Sequence, residues 1–156
     1  MNKQVYELTE EGLEELKAEL RNIKDVLIPA NVEALQAARS QGDLSENADY
    51  DAARDEQARL AAREKQLEEY IKNAKVIVKS NTNVINTGSH VNVTYLAMNK
   101  TFDYQIVGTI QANPLQGKIS NEAPLGKILL GHKAGDVVTV VTETGKEHKV
   151  KINSIS

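Results

Sequence analysis

Leucine and isoleucine recur through the first part of the chain at alternating spacings of three and four, at Leu13, Leu16, Leu20, Ile23 and Leu27. That spacing draws one apolar stripe along a helix and asks for a second helix to cover it. A second stripe follows downstream at Ala53, Gln57, Leu60, Glu64, Leu67, Ile71 and Ala74. Folding the chain back about the bond between Asp43 and Leu44 matches the two seams position by position: Leu13 with Ala74, Leu16 with Ile71, Leu20 with Leu67, Ile23 with Glu64, and Leu27 with Leu60. The pattern predicts an antiparallel two-helix coiled coil whose tip is the stretch from Ser40 to Tyr50. Gly42 suits the end of one helix and Asp43 the start of the next, because glycine is permissive at a C-terminal cap and aspartate is a good N-cap acceptor.

The first helix is expected to begin near residue 9 or 10, with Thr9 as N-cap and Glu10 and Glu11 in the turn that the helix dipole favours for acids. Pro29 removes a backbone donor, yet apolar spacing resumes at Val32, Leu35 and Ala38, so a kink is expected there and not an end. Beyond it the seam is expected to turn small, with Ala30, Ala34 and Ala37 facing Gln57, Ala53 and Tyr50. From Thr9 to Gln41 the helix would run roughly 45–50 Å. The returning helix is placed from about Ser45 to Lys75, followed by a linker at residues 79–83.

After the linker the period changes. Short β-type runs cover Ser89 to Leu96, Thr101 to Ile110, Asp136 to Thr142 and His148 to Ile155, the last two joined through Glu143-Thr144-Gly145-Lys146. A loop from Gln111 to Asn121 and a short helix from Pro124 to Leu130, closed by Gly131, lie between. The expected class is α+β: a coiled-coil arm over residues 1–79 with an acidic tip near 43–46, then a small sheet-and-helix domain over residues 80–156.

Composition sharpens this picture. Of 156 residues only 4% are aromatic, with one Phe and no Trp, which suits a slender arm joined to a small domain better than one large core. There is no cysteine, so disulfides and thiolate metal sites are excluded. No secretory signal and no apolar run of membrane-spanning length is seen, and a cytoplasmic location is expected. The net charge of −3 divides unevenly: residues 1–79 hold 12 Lys/Arg against 17 Asp/Glu, residues 80–156 hold 7 against 5. An acidic arm is a poor autonomous binder of nucleic acid, which needs a basic surface to release counterions.

Candidate chemistry is concentrated at the tip. There is no glycine-rich phosphate loop, and His90, His132 and His148 lack metal-ligand spacing. Asp43-Leu44-Ser45-Glu46 fits two roles. One is an N-terminal capping box, Asp43 as cap and Glu46 reaching back to its amide. The other is a pair of carboxylates carried at the end of a probe. Two carboxylates fill only part of the octahedral shell of Mg²⁺, but beside another protein's metal they could complete a two-metal phosphodiester site. Arg39 lies before the tip, and Arg54, Arg59 and Arg63 lie along the returning helix. Arg39 and Arg54 are either RNA-contact candidates or solvated flank residues paired with Asp51, Asp55 and Glu56; Arg59 and Arg63 fit the second role better.

The run Ala38-Arg39-Ser40-Gln41-Gly42-Asp43-Leu44-Ser45-Glu46-Asn47-Ala48-Asp49-Tyr50-Asp51-Ala52-Ala53-Arg54-Asp55-Glu56-Gln57 resembles the tip of the Gre family of bacterial transcript cleavage factors, and within it the GreA type. A second block, from Gly117 through Lys118-Ile119-Ser120-Asn121-Glu122-Ala123-Pro124 to Gly131, resembles that family's C-terminal domain, in matching order and spacing over nearly the full chain. The resemblance implies an FKBP-like second domain that docks on bacterial RNA polymerase, with Ile119, Ser120 and Pro124 as docking candidates, while the coil threads the secondary channel. It further implies that Asp43 and Glu46 share a Mg²⁺ ion with the polymerase active site and activate water, with Ser45 and Asn47 in support. The nascent RNA 3′ end of a backtracked complex is then cut by the polymerase itself, so the protein is an accessory factor and not an enzyme. A monomer without membrane association is expected, and the FKBP-like fold does not imply prolyl isomerase activity.

Two other classes compete. A non-catalytic channel binder would modulate the polymerase by occupying the same route, and a plain coiled-coil adaptor would need no acidic tip. The intact Asp43-Leu44-Ser45-Glu46 spacing favours cleavage stimulation over both.

Overall fold

The structure is a computed structural model and describes residues 4–41, 47–78 and 83–156. The chain divides into a helical unit, Leu13–Asn73, and a second unit that combines Met1–Gly12 with Ala74–Ser156.

In the helical unit, α1 (Glu10–Asn22) passes through a π-helical turn at Ile23–Leu27 into α2 (Ile28–Arg39), and α3 (Ala48–Lys72) returns. Ile23, Leu60 and Leu67 are buried together, with Leu16, Leu20, Leu27, Ile28 and Tyr70 packed around them. The leucine seams are therefore the core of the hairpin. Pro29 is absorbed by the π turn just before it: the amide of Ile28 reaches back five residues to the carbonyl of Ile23. That turn takes up one residue more than an α-turn and moves the inward stripe of α2 by one position. Asn31 and Ala38 are buried and Leu35 is half-buried, whereas Ala30, Ala34 and Ala37 are exposed. The expectation that those three alanines line the seam is corrected accordingly. Asn31 brings a polar group inside and satisfies it, donating from Nδ2 to the carbonyl of Ala53 at 2.9 Å.

Two boundaries also differ from the sequence pattern. α3 ends at Lys72, and Ala74 does not extend the seam opposite Leu13 but opens a strand. At its other end α3 starts at Ala48, and its N-cap is Asn47 rather than Asp43. The Asn47 side chain accepts from the amide of Tyr50 at 3.1 Å and donates to the carbonyl of Ala38 at 2.7 Å. One carboxamide thus satisfies an orphan donor of α3 and a late carbonyl of α2.

In the second unit, β1 (Tyr6–Leu8) pairs in parallel with β2 (Ala74–Val76), Tyr6 opposite Ala74. Thr9 is the expected N-cap of α1: its Oγ1 accepts from the amide of Gly12 at 3.1 Å and from Nε2 of Gln111 at 2.6 Å, while the Thr9 amide donates to Oε1 of Gln111 at 3.0 Å. A Cβ at Gly12 would push the end of the Gln111 side chain out of this position.

The main sheet has the order β5-β4-β3-β7-β6, with β3 (His90–Tyr95), β4 (Lys100–Val107), β5 (Lys118–Ser120), β6 (Val137–Val141) and β7 (Glu147–Ile155). Only β4 and β5 run parallel. Alternation sends Val91, Val93, Val138, Val140, Val150 and Ile152 to one face. There they pack with Ile85, Ile106 and Leu129, the last from the short helix α4 (Pro124–Leu129). The β6–β7 hairpin turns where Gly145 takes φ +84°, and its amide donates to the carbonyl of Thr142 at 2.9 Å. The α+β class with a helical hairpin first is as the sequence pattern predicts.

Two substitutions test this packing. Gly126→Ala should destabilise the protein by about 1–3 kcal/mol, although alanine is the better helix former, because its Cβ would collide with the carbonyl oxygen of Ser120. Urea unfolding measures it, and an unchanged midpoint would mean that the β5–α4 link is slack. Asn47→Ala should cost about 1–2 kcal/mol by loss of the cap. Asn47→Asp, which keeps the acceptor and loses the donor, should fall between it and the parent in thermal unfolding followed by circular dichroism.

Candidate functional site at the hairpin turn

The carboxylates Asp43 and Glu46, and Ser45 between them, lie outside the described residues. What the structure places is the frame on either side: Arg39 as the last residue of α2, Asn47 as the cap of α3, and Tyr50 and Arg54 one turn apart on α3. The cap role of Asn47 removes the need for Asp43 to cap α3.

The four arginines separate into two kinds. Arg59 holds Glu56 through two hydrogen bonds of 2.8 and 2.5 Å. Arg63 bridges the helices to Glu19 through bonds of 2.8 and 3.0 Å and also donates to Gln66 at 2.6 Å. These are structural pairs, as their positions along the flank suggest. Arg39 and Arg54 behave differently. Among the described residues neither forms an ion pair. Instead both guanidiniums lie over the ring of Tyr50, with Cζ atoms 5.8 and 6.0 Å from its centroid. The Arg39 guanidinium beside the phenol holds the Tyr50 hydroxyl below its usual pKa, with smaller help from Arg54. Pairing of Arg39 and Arg54 with Asp51, Asp55 or Glu56 is thus not observed, and Glu56 is already taken by Arg59. A reading by charge alone misses Tyr50; the signal in the sequence is an aromatic residue four positions before Arg54 in a chain with few aromatics.

Among the described residues no group of three His, Cys, Asp or Glu side chains comes together to hold a metal ion. Of the histidines, His90 and His148 lie on strands, and His132 faces Asp136 at 3.2 Å. No helix among the described residues is long and apolar enough to cross a membrane.

The proposed docking residues gather where β5 meets α4. Ile119 packs against the sheet core. Ser120 is half-buried, its Oγ 3.2 Å from Oγ1 of Thr109 and accepting from the amide of Glu122 at 3.1 Å. Pro124 is exposed at the start of α4. Ser120 and Pro124 therefore share a local surface, and Ile119 supports it from within.

Comparison with known proteins places both units. Residues 6–76 match the family described as "Transcription elongation factor, N-terminal", and residues 79–156 match "Transcription elongation factor, GreA/GreB, C-term". The chain is 48% identical over 156 residues to the transcription elongation factor GreA of Acholeplasma laidlawii, covering 99% of each. It is 44% identical over 156 residues to that of Geobacillus kaustophilus, covering 99% of this chain and 98% of the relative. Among solved structures, the GreA factor homolog Gfh1 of Thermus thermophilus aligns over 98% of this chain and 99% of its own at 29% identity and a TM-score of 0.45, a likeness too loose to carry an argument about the site. With both halves matched in order and curated relatives aligned from end to end, the chain belongs to the GreA/GreB family of transcription elongation factors.

Proposed function

We propose that this elongation factor enters the secondary channel of RNA polymerase with its hairpin turn foremost and stimulates cleavage of backtracked nascent RNA. The observation that carries the reading is the capping of α3 by Asn47, which ties the start of α3 to the end of α2 and so fixes both ends of the segment in which the sequence carries Asp43 and Glu46. Family membership supports the partner, since an elongation factor works on a transcribing polymerase.

The donor set fits a magnesium ion in part. Carboxylate oxygens are the hard ligands that Mg²⁺ prefers, but two are too few for its octahedral shell, and no described cluster adds to them. Asp43 and Glu46 would therefore hold the ion jointly with the polymerase's own ligands. When bound there, Mg²⁺ supplies Lewis-acid polarisation of the phosphodiester and a lowered pKa for attacking water. The chain's residues do the rest. The two carboxylates accept hydrogen bonds from that water and fix its position, and Asn47 holds the turn in place from its base. The surface around Ser120 and Pro124 docks on the polymerase. The bond is cut in the polymerase's active site, which makes this protein an accessory factor.

Asp43→Asn and Glu46→Gln each keep side-chain shape while removing charge. Each should lower transcript cleavage by on the order of 100-fold, the effect of losing one group that stabilises a transition state, while polymerase binding stays within a factor of two or so. The assay is a stalled, backtracked complex supplied with Mg²⁺ and purified factor, read as short 3′ RNA fragments. Undiminished cleavage by both variants would sink the donated-carboxylate mechanism and leave a factor that modulates polymerase by occupancy alone.

A further inference from the structure

Tyr50 is the aromatic residue beside the turn, and it gathers one arginine from each helix of the hairpin. Arg39 comes from the last position of α2 and Arg54 from the second turn of α3, and both Cζ atoms lie within the ~6 Å over which a ring face attracts a cation. Two guanidiniums on one ring repel each other, and the attraction of the ring for both offsets that repulsion. The choice of holder matters. A carboxylate, as Glu56 and Glu19 show on Arg59 and Arg63, orients a guanidinium by neutralising it. A ring orients it and leaves its charge intact. Both arginines are exposed, and among the described residues neither has a carboxylate partner. Their planar donor forks match the oxygens of a phosphodiester.

We propose that Tyr50 is a positioning residue that holds Arg39 and Arg54 as a two-guanidinium clamp for a phosphodiester of the RNA strand on which the turn acts. The proposal rests on the reading that the turn meets RNA inside the polymerase. It explains how an arm that is acidic overall presents concentrated positive charge at one place. The clamp is too small to bind RNA alone and is effective only when the strand is already held nearby.

The test uses the full chain with stalled, backtracked polymerase and varies Tyr50 against the two arginines. Tyr50→Phe keeps the ring face and should cleave within about twofold of the parent. Tyr50→Leu removes the face and should lose about fivefold in cleavage at subsaturating factor, with unchanged helicity and polymerase binding, as expected when two exposed cations are released from their ring. Tyr50→Met, unbranched and favourable in a helix, serves if Leu is not tolerated. In an Arg39→Gln, Arg54→Gln background the same ring removal should have no further effect, because the ring would act only through those side chains. Cleavage by the parent should also fall more steeply with added KCl than cleavage by Tyr50→Leu, by about 0.7 in logarithmic slope for each phosphate that the variant leaves unneutralised. Full activity of Tyr50→Leu overturns the proposal. So does an undiminished effect of ring removal in the arginine-free background, which marks a packing role. So does a loss explained by weaker polymerase binding, which marks a protein partner for the arginines. Asp43→Asn, run in parallel, separates the two levels: if it cleaves normally the underlying reading fails, and if it is inactive while Tyr50→Leu is active only the clamp fails.

Discussion

A single helical turn with one residue too many sets the register of the hairpin beyond it. Pro29 cannot donate a backbone hydrogen bond, and its ring crowds the carbonyl four residues back. The π turn at Ile23–Leu27 meets both demands and keeps the helix continuous. Its consequence appears beyond the proline, where Asn31, Leu35 and Ala38 turn toward α3 in place of Ala30, Ala34 and Ala37. Because Asn31 then anchors to Ala53, and Ala38 meets Asn47, the placement of Arg39 relative to Tyr50 follows from that inserted residue.

The same turn marks how far the helical register is legible in the sequence. Leu16, Leu20, Ile23, Leu27, Leu60 and Leu67 are readable as a seam because large aliphatic residues at helical spacing have few other uses in water. The upper seam is alanine-rich on several faces, so hydrophobicity does not distinguish one stripe from the next, and extrapolating the lower register selects the wrong one. The long strands of the second unit, β3, β4, β6 and β7, announce themselves by alternation. β1, β2 and β5 do not, since three residues give no period to detect, and their existence depends on partners far away in sequence.

The candidate site divides in a similar way. Asp43 and Glu46 are visible only as a motif, because no spacing rule tells two carboxylates in a turn from a capping box. Asn47 as the cap of α3 takes coordinates to see. The same holds for the pairing of arginines with a ring, where charge counting looks for acids and finds Asp51, Asp55 and Glu56 close by in sequence. Geometry gives Glu56 to Arg59 and leaves Tyr50 between Arg39 and Arg54.

The parallel pairing of β1 with β2 has a bearing on how the chain is made. Those strands flank the helical unit in sequence, so the helices form a continuous insertion within a single β unit, and the first strand stays without its neighbour until Ala74–Val76 has been synthesised. Thr9 waits longer still for Gln111, 102 positions on. On a ribosome the hairpin, whose contacts are local, can close early, while its own N-terminal lead is still unpaired. The N-terminal lead of this factor is therefore fixed in full only after Gln111 has been made, well after the helices that follow it in sequence.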